Sequence, residues 1–454
     1  FGLLLDACTD YLDIQPYGQT IPKTAEEFSA LVHSLLDDVD QGNSILIPNI
    51  DHVTDWDCGS GDDFEVCLTE PSGRSLNVYQ GSNLNNANVY APYSSLYSVI
   101  RDCNIVIGNL KEENTDLGRN TLAAAYAMRG VAYYELMRYY CEAPRKGELE
   151  NQLGVSLVTV FDMEERPVRS NLQATADLIE SDLEKSISYH CTDNLFRFTE
   201  DVAEGYLARL YFWTEQWDKA LPICEELLVK HPLVDAKAFL DMMNHSYVLD
   251  GNKLVMSHRL NSAETYSIQT SVLQYRPVST RFLDCFTEEE KTSDVRYALS
   301  VNRKRKVQKS PFCGFRAAEL QLIKAESLYH LGQQDKALEA LNFLRSKRIT
   351  PYTPLTMQTL PAHVSSELIT VDCEGNAVTP LISAILRERR KELFLEGSRL
   401  WELKRNGTPE FWTAYNGRKY TTLPYMYTWP VPESDIRINP DVLQNPGYTE
   451  LVSN

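Results

Sequence analysis

The stretch ARLYFWTEQWDKAL, residues 208–221, returns 117 residues later as AESLYHLGQQDKAL, residues 325–338. At this offset Ala208 pairs with Ala325, Tyr211 with Leu328, Phe212 with Tyr329 and Leu227 with Leu344. In each copy an alanine lies 12 positions before the alanine of the Asp-Lys-Ala-Leu tetrad. That spacing predicts two helices, A and B, whose small residues let the backbones approach closely. Asp218 and Asp335 are placed to open helix B, where a carboxylate can accept the unpaired N–H groups of the first turn. Pro222 is expected in that first turn, where an N–H has no intrahelical partner to lose.

The pattern matches a tetratricopeptide-type (TPR) helix pair, and Pro232 falls where such a unit ends. Further helical periodicity runs over roughly 24–40, 92–111, 121–140, 172–189 and 380–405, with an A/B pair expected between 121–140 and 172–189. The inserts between them, 42–90, 142–168, 244–313 and 350–379, are rich in Gly, Asn, Ser and aromatics. A rigid support carrying such loops is how proteins commonly present a recognition face. The expected fold is mainly α, a TPR-containing helical scaffold with long irregular inserts and minor β. The expected division is residues 1–20 as leader remnant, modified cysteine and linker, and 21–454 as one domain that includes the pairs 203–232 and 316–348.

Composition narrows the function. The 454 residues carry a formal charge of −19, which repels phosphate backbones and argues against a nucleic-acid partner. No apolar run reaches the ~20 residues needed to span a bilayer. Instead Leu5-Asp6-Ala7-Cys8 follows an apolar stretch and is similar to a lipobox, predicting lipidation of Cys8. Asp6 stands where a small or apolar residue is usual. The ten cysteines show no CxxC pair, Cys58 and Cys67 flank a Gly-rich loop as the first disulfide candidate, and Cys103, Cys141 and Cys224 fall on apolar helix faces.

No GxSxG elbow, HExxH, P-loop or Rossmann glycine pattern occurs, and the eight histidines show no metal-ligand spacing, so neither catalysis nor a cofactor is expected. Glu392 and Glu396, four apart, are read as part of a structural ion network with Arg389, Lys391 and Arg399. The acidic run Asp55–Asp63 fails the EF-hand pattern at Gly59 and Val66 and is read as a solvated loop. Aromatic rings remain as the binding chemistry, because sugar C–H faces stack on Trp and Tyr. Trp56, Tyr79, Tyr90, Tyr93, Tyr275 and Phe312 lie in or beside the inserts, with Asn83, Asn85, Arg276 and Arg303 near them, and are the ligand-binding candidates. The basic run Arg303-Lys304-Arg305-Lys306 is read as a solvated loop or, alternatively, a contact for anionic cargo or a partner.

Several segments resemble the SusD/RagB family of nutrient-binding outer-membrane lipoproteins. Arg316-Ala317-Ala318-Glu319 through Ala325-Glu326 and Leu341–Arg345 is similar to its R-x-A-E-x-x-L-x-x-A-E and L-N-x-x-R segment. Arg387–Arg399 resembles its R-x-x-E-L-x-F-E-G-x-R helix, although Leu400-Trp401-Glu402-Leu403 departs from the usual W-F/Y-D-L. Trp429–Ile436 leading to Asn439-Pro440 and Gln444–Tyr448 is similar to its P-I-P-x-x-E-I, N-P and Q-N-P-G-Y ending. Asp10–Asp13, Tyr97–Ile100 with Asn104, and Asp182-Leu183 agree in order. The resemblance implies a non-enzymatic glycan-binding lipoprotein at the cell surface, of Bacteroidetes type. It would capture oligosaccharide and deliver it to a SusC-like TonB-dependent transporter, tethered to the membrane by its lipid anchor. Oligopeptide capture of the RagB kind is the alternative within transport. A pure TPR interaction scaffold is the alternative outside it.

Overall fold

The computed structural model describes residues 22–65, 87–162, 164–243, 253–256, 273, 275–415 and 418–448. Its principal helices are α1 (Ala25–Gln41), α2 (Ala87–Asn109), α3 (Asp116–Tyr140), α4 (Leu172–Ile187), α5 (Glu200–Trp213), α6 (Trp217–Lys230), α7 (Ala236–Met243), α8 (Ala317–His330), α9 (Gln334–Ser346), α10 (Pro380–Glu392) and α11 (Arg399–Arg405). Three two-stranded antiparallel ladders complete it: β1 (Leu153–Ser156) with β2 (Arg169–Asn171), β3 (Lys253–Met256) with β4 (Gly314–Arg316), and β5 (Phe411–Tyr415) with β6 (Arg418–Thr422). The mainly α expectation is met.

Both repeats form helical hairpins. Residues 203–232 hold most of α5 and all of α6, and 316–348 hold α8 and α9. Ala208, Ala220, Ala325 and Ala337 are buried where the paired helices meet, so the small side chains act as predicted. Although about ninety residues intervene, α6 packs directly on α8, and α2 through α6 pack in chain order, so the helices form one continuous array. The pair expected between 121–140 and 172–189 is α3 with α4. Arg129 crosses it to Asp182 at 2.6 Å, and Ser186 Oγ donates to the Ala123 carbonyl at 2.8 Å.

Helix ends follow local chemistry. Thr24 and Glu27 form a reciprocal capping box that starts α1. Two expectations are corrected. Helix B begins one residue early in each copy, after Gln216 and Gln333, so Asp218 and Asp335 sit second in their helices and make no capping bond, leaving only a favourable interaction with the helix dipole. Pro222 is therefore the sixth residue of α6, one turn inside, at a position where proline withholds a regular helical hydrogen bond. The predicted single helix over 380–405 is also two helices. The break at 393–398 holds Leu395 at φ 56° and Gly397 at φ 71°, both left-handed.

Candidate functional site

The surface that could meet a ligand is positioned by a charged interior. Helix α10 is amphipathic in an unusual sense, because Glu388, Arg389, Arg390, Lys391 and Glu392 are all buried. Each is paired, as burial demands. Glu392 receives Arg316 at 2.7 Å, Arg348 at 2.8 Å and Arg296 at 3.2 Å. Glu396 receives Lys309 at 2.5 Å and Arg316 at 2.9 Å. The network expected around Glu392 and Glu396 exists, but its cations come from distant segments. Arg389 pairs instead with Glu402, Lys391 with Glu290 and Glu388, and Arg399 with Asp62 and Glu367.

The acidic run is the main correction. Asp57, Asp62 and Asp63 are buried rather than solvated: a short helix (Ile50–Thr54) continues as a π-helical turn over Asp55–Ser60 that holds Asp57, and Asp62 and Asp63 follow directly after it. Arg390 binds Asp62 at 3.1 Å and Asp63 at 2.8 Å, and Arg399 binds Asp62 at 2.6 Å. Burial would raise the Asp62 carboxyl, but Arg390 and Arg399 outweigh it and hold it below its usual value. Asp57 has no such cation in contact among the described residues. Burial first, and the charge of Asp63 second, push it up to about 8, while its Oδ2 accepts the Gly397 N–H at 2.8 Å.

A stability prediction follows from Asp57. A raised folded pKa means the acid stabilises the fold below its unfolded value of 3.8 and loses that contribution as pH rises towards 8. Asp57→Asn keeps an acceptor for Gly397 and cannot ionise. Its stability relative to the parent, by urea unfolding, is expected to improve by about 1.4 kcal/mol per pH unit between roughly pH 4 and 8. A difference that stays flat from pH 5 to 7.5 would show that Asp57 is ionised in the fold.

Beyond Asp63 the chain surfaces at a cavity of about 150 Å³ lined by Gly61, Asp62, Phe64, Glu65, Ser279, Thr280, Arg281, Phe411 and Trp412. Its walls come from three segments. Phe64 bridges Val278, Ser279 Oγ donates to the Asp62 carbonyl at 2.7 Å, and the β5–β6 hairpin contributes Trp412 opposite Thr421. The Trp412 indole is 44% exposed, with Lys419 Nζ 5.2 Å from its ring centre. Glu65 Oε1 accepts the Thr280 N–H and an Arg305 guanidinium N–H, each at 3.0 Å. An open aromatic face beside a carboxylate, a hydroxyl and a guanidinium suits a polyhydroxylated ligand, whose C–H face stacks while its hydroxyls hydrogen-bond.

The sequence-derived candidates divide sharply. Trp56 is 3% exposed and packs among Tyr139, Trp401 and Trp429 with ring centres 5.5 to 6.0 Å away, so it is a core anchor. Tyr93 is buried against Tyr97 and Tyr140, and Phe312 is buried beside Phe239 and Met242, so their faces too are taken. Arg276 is buried and donates to the Cys58 carbonyl at 3.3 Å, a structural contact. Tyr275 and Arg303 are exposed, and their segments adjoin the cavity: the Val278 N–H bonds the Arg305 carbonyl at 2.8 Å, and the Glu65 N–H the Pro277 carbonyl at 2.8 Å. In the basic run, Arg303, Lys304 and Lys306 are exposed and Arg305 is half-buried. Cys8, Cys67, Tyr79, Asn83, Asn85 and the Tyr90 side chain lie outside the described residues. Cys103, Cys141 and Cys224 are buried, as the apolar faces predicted. Trp412 escaped the sequence reading because it follows the helical core and lies in none of the inserts, although aromatic-polar alternation in Phe411–Tyr415 was its available signal.

A helical-repeat scaffold carrying an open cavity of mixed aromatic and polar lining defines the class: a binding protein. Two family models match the sequence. One, described as the SusD family, matches residues 289–448; the other, described as starch-binding associating with outer membrane, matches residues 10–212. Among curated proteins, SusD-like protein P38 of Formosa agariphila is 24% identical over 427 residues, spanning 79% of this chain and 80% of that one. A SusD superfamily protein from Bacteroides vulgatus superposes with a TM-score of 0.72 at 18% identity, over 94% of this chain and all of its own. One from Bacteroides thetaiotaomicron gives 0.70 at 20% identity, over 93% and 100%. A putative sugar binding protein from Bacteroides vulgatus gives 0.69 at 20%, over 95% and 100%. The chain is thus similar to SusD-like proteins in sequence over residues 10–212 and 289–448 and in fold over most of its length.

Proposed function

We propose that this protein captures an oligosaccharide at the cavity between Glu65, Thr280, Arg281 and Trp412 and hands it to a SusC-like TonB-dependent transporter of the outer membrane. The assigned role is binding, not catalysis, with residues 21–454 acting as one ligand-binding unit. The observation that carries the ligand class is the half-exposed Trp412 ring in a cavity that also offers Glu65, Thr280 and Arg281. The description of the model matching residues 10–212 supports the carbohydrate and the outer-membrane setting. No helix among the described residues is long and apolar enough to cross a membrane, and the lipobox-like Leu5–Cys8 supports attachment through lipid on Cys8. Tyr275 and Arg303 extend the proposed ligand surface from one side.

Calorimetry against a panel of oligosaccharides is expected to find a binder whose affinity falls at least about tenfold in Trp412→Ala, the loss of one stacked ring. Tyr275→Ala is expected to lose less. A panel without binders, or an unchanged affinity in Trp412→Ala, rejects the cavity as the glycan site. The exposed Arg303, Lys304 and Lys306 favour a second reading in which the cargo is an acidic oligopeptide, and acidic peptide pools in the same assay distinguish the two.

A further inference from the structure

At the border of the charged interior, where Arg405 holds Glu326, three metal-ligating side chains converge. Glu326 and His330 lie one helical turn apart on α8, and Cys373 comes from the insert after α9. Cys373 Sγ is 3.6 Å from His330 Nε2, which is 3.9 Å from Glu326 Oε1. One ligand atom from each of the three lies within 4.8 Å of the other two. With zinc–sulfur and zinc–nitrogen bonds of about 2.3 and 2.0 Å, a tetrahedral ion holds those two atoms about 3.5 Å apart, which is the spacing found.

The cluster is built rather than accidental. Cys373 sits in a tight turn in which the Asp372 N–H bonds the Asn376 carbonyl at 2.8 Å, the Asn376 N–H bonds Asp372 Oδ1 at 2.8 Å, and Gly375 takes φ 80°. The His330 ring is clamped by Trp217, stacked 4.4 Å away at 11°. On the other side of the imidazole, Glu374 Oε2 lies 3.6 Å from Nδ1, and its Oε1 accepts the Trp217 indole N–H at 3.1 Å. A carboxylate behind a histidine orients the ring and strengthens its free nitrogen as a ligand.

Glu326 supplies an independent sign. It is completely buried, and Arg405 Nη1 holds its Oε1 at 2.7 Å, yet its Oε2 has no hydrogen-bond partner among the described residues. Arg389 Nε lies 3.8 Å from that oxygen, beyond hydrogen-bond length. A buried carboxylate oxygen left without a donor is costly unless something else takes it. An entry path exists, because Asp372, Cys373, Gly375 and Arg405 line an open cavity of about 340 Å³.

From this geometry we propose that Glu326, His330 and Cys373 form a site for a divalent ion of the zinc type, open to that cavity at its fourth position. A thiolate and an imidazole with one carboxylate select zinc-like ions over calcium and magnesium, which need all-oxygen shells. The site is separate from the Trp412 cavity and stands or falls independently of it.

Cobalt(II) added to the metal-free full chain is expected to give a thiolate-to-cobalt charge-transfer band that saturates at one ion per chain and is displaced by zinc. Zinc is also expected to raise the melting temperature. Cys373→Ser, the mildest change available, should abolish the band and the zinc-dependent shift while its metal-free melting matches the parent. Glu374→Gln should weaken cobalt binding about tenfold, the usual effect behind a ligating histidine. Absence of the band, its persistence in Cys373→Ser, or a parent melting temperature indifferent to zinc each overturns the site.

Discussion

Glu392→Ala is expected to cost at least about 5 kcal/mol, a large part of the 5–15 kcal/mol that holds most domains together, and to leave the chain partly unfolded at neutral pH. The side chain is fully buried, and Arg348, also fully buried, directs Nε and Nη2 at it. Removing the carboxylate leaves Arg348 with the Val234 and Lys347 carbonyls as its remaining acceptors among the described residues, a charge without a counter-charge. Arg296 and Arg316 lose less, because Asp294 and Glu388 still hold the first and Glu396 the second. Glu392→Leu combined with Arg348→Leu should recover much of the loss, since removing both partners of a buried pair is far cheaper than removing one. Urea unfolding of the single and double variants checks this, and a single variant within about 1 kcal/mol of the parent would refute it. The same carboxylates set the acid limit. Burial would raise the Glu392 carboxyl, but Arg348, Arg316 and Arg296 outweigh burial and hold it far below 4.5. A depressed folded pKa stabilises above the unfolded value and is lost as pH falls through it, so the urea midpoint should drop steeply below about pH 4.5.

What could be read from the sequence was whatever is encoded locally. The two repeat hairpins announced themselves because each needs only a small residue per helix and an apolar face, nearly all within about thirty positions. The ion network was visible only as a tendency. Arg389, Lys391 and Arg399 lie close to Glu392 and Glu396 in sequence, but on a helix and its broken continuation they leave in other directions, and the true partners Arg348 and Arg296 stand 44 and 96 positions away. Asp62 and Asp63 misled for the same reason. An Asp-rich, Gly-rich run reads as solvent-exposed until Arg390 and Arg399 arrive from more than 300 residues downstream to bury it. Aromatic composition marked the inserts as a binding face, yet composition cannot tell a ring that stacks on a ligand from one that packs on Trp401, and Trp56 is the second kind.

Trp429→Ala is expected to cost about 3–5 kcal/mol, the range for emptying a buried tryptophan site, and to loosen the proposed ligand cavity as well. Trp429 is 3% exposed, with Tyr139, Trp401, Trp56 and Tyr140 rings at 5.0, 5.6, 6.0 and 6.0 Å. Its backbone is tied down too: the N–H donates to the Tyr139 carbonyl at 2.8 Å, and its own carbonyl accepts Asn445 Nδ2 at 2.6 Å. Asn445 also reaches the Tyr140 carbonyl at 2.8 Å, so the indole and the amide together fasten residues 429–448 across the end of α3. Trp56, the ring on the other side, belongs to the π-helical turn that leads directly into Asp62, Asp63 and Glu65. A void beneath Trp56 should therefore speed hydrogen exchange both in 429–448 and in 55–65, while leaving the α5–α6 hairpin protected. Trp429→Phe, which refills most of the volume, should lose no more than about half as much. If Trp429→Ala costs less than about 1 kcal/mol, or if exchange quickens in 429–448 alone, the aromatic cluster does not connect the closing segment to the ligand cavity.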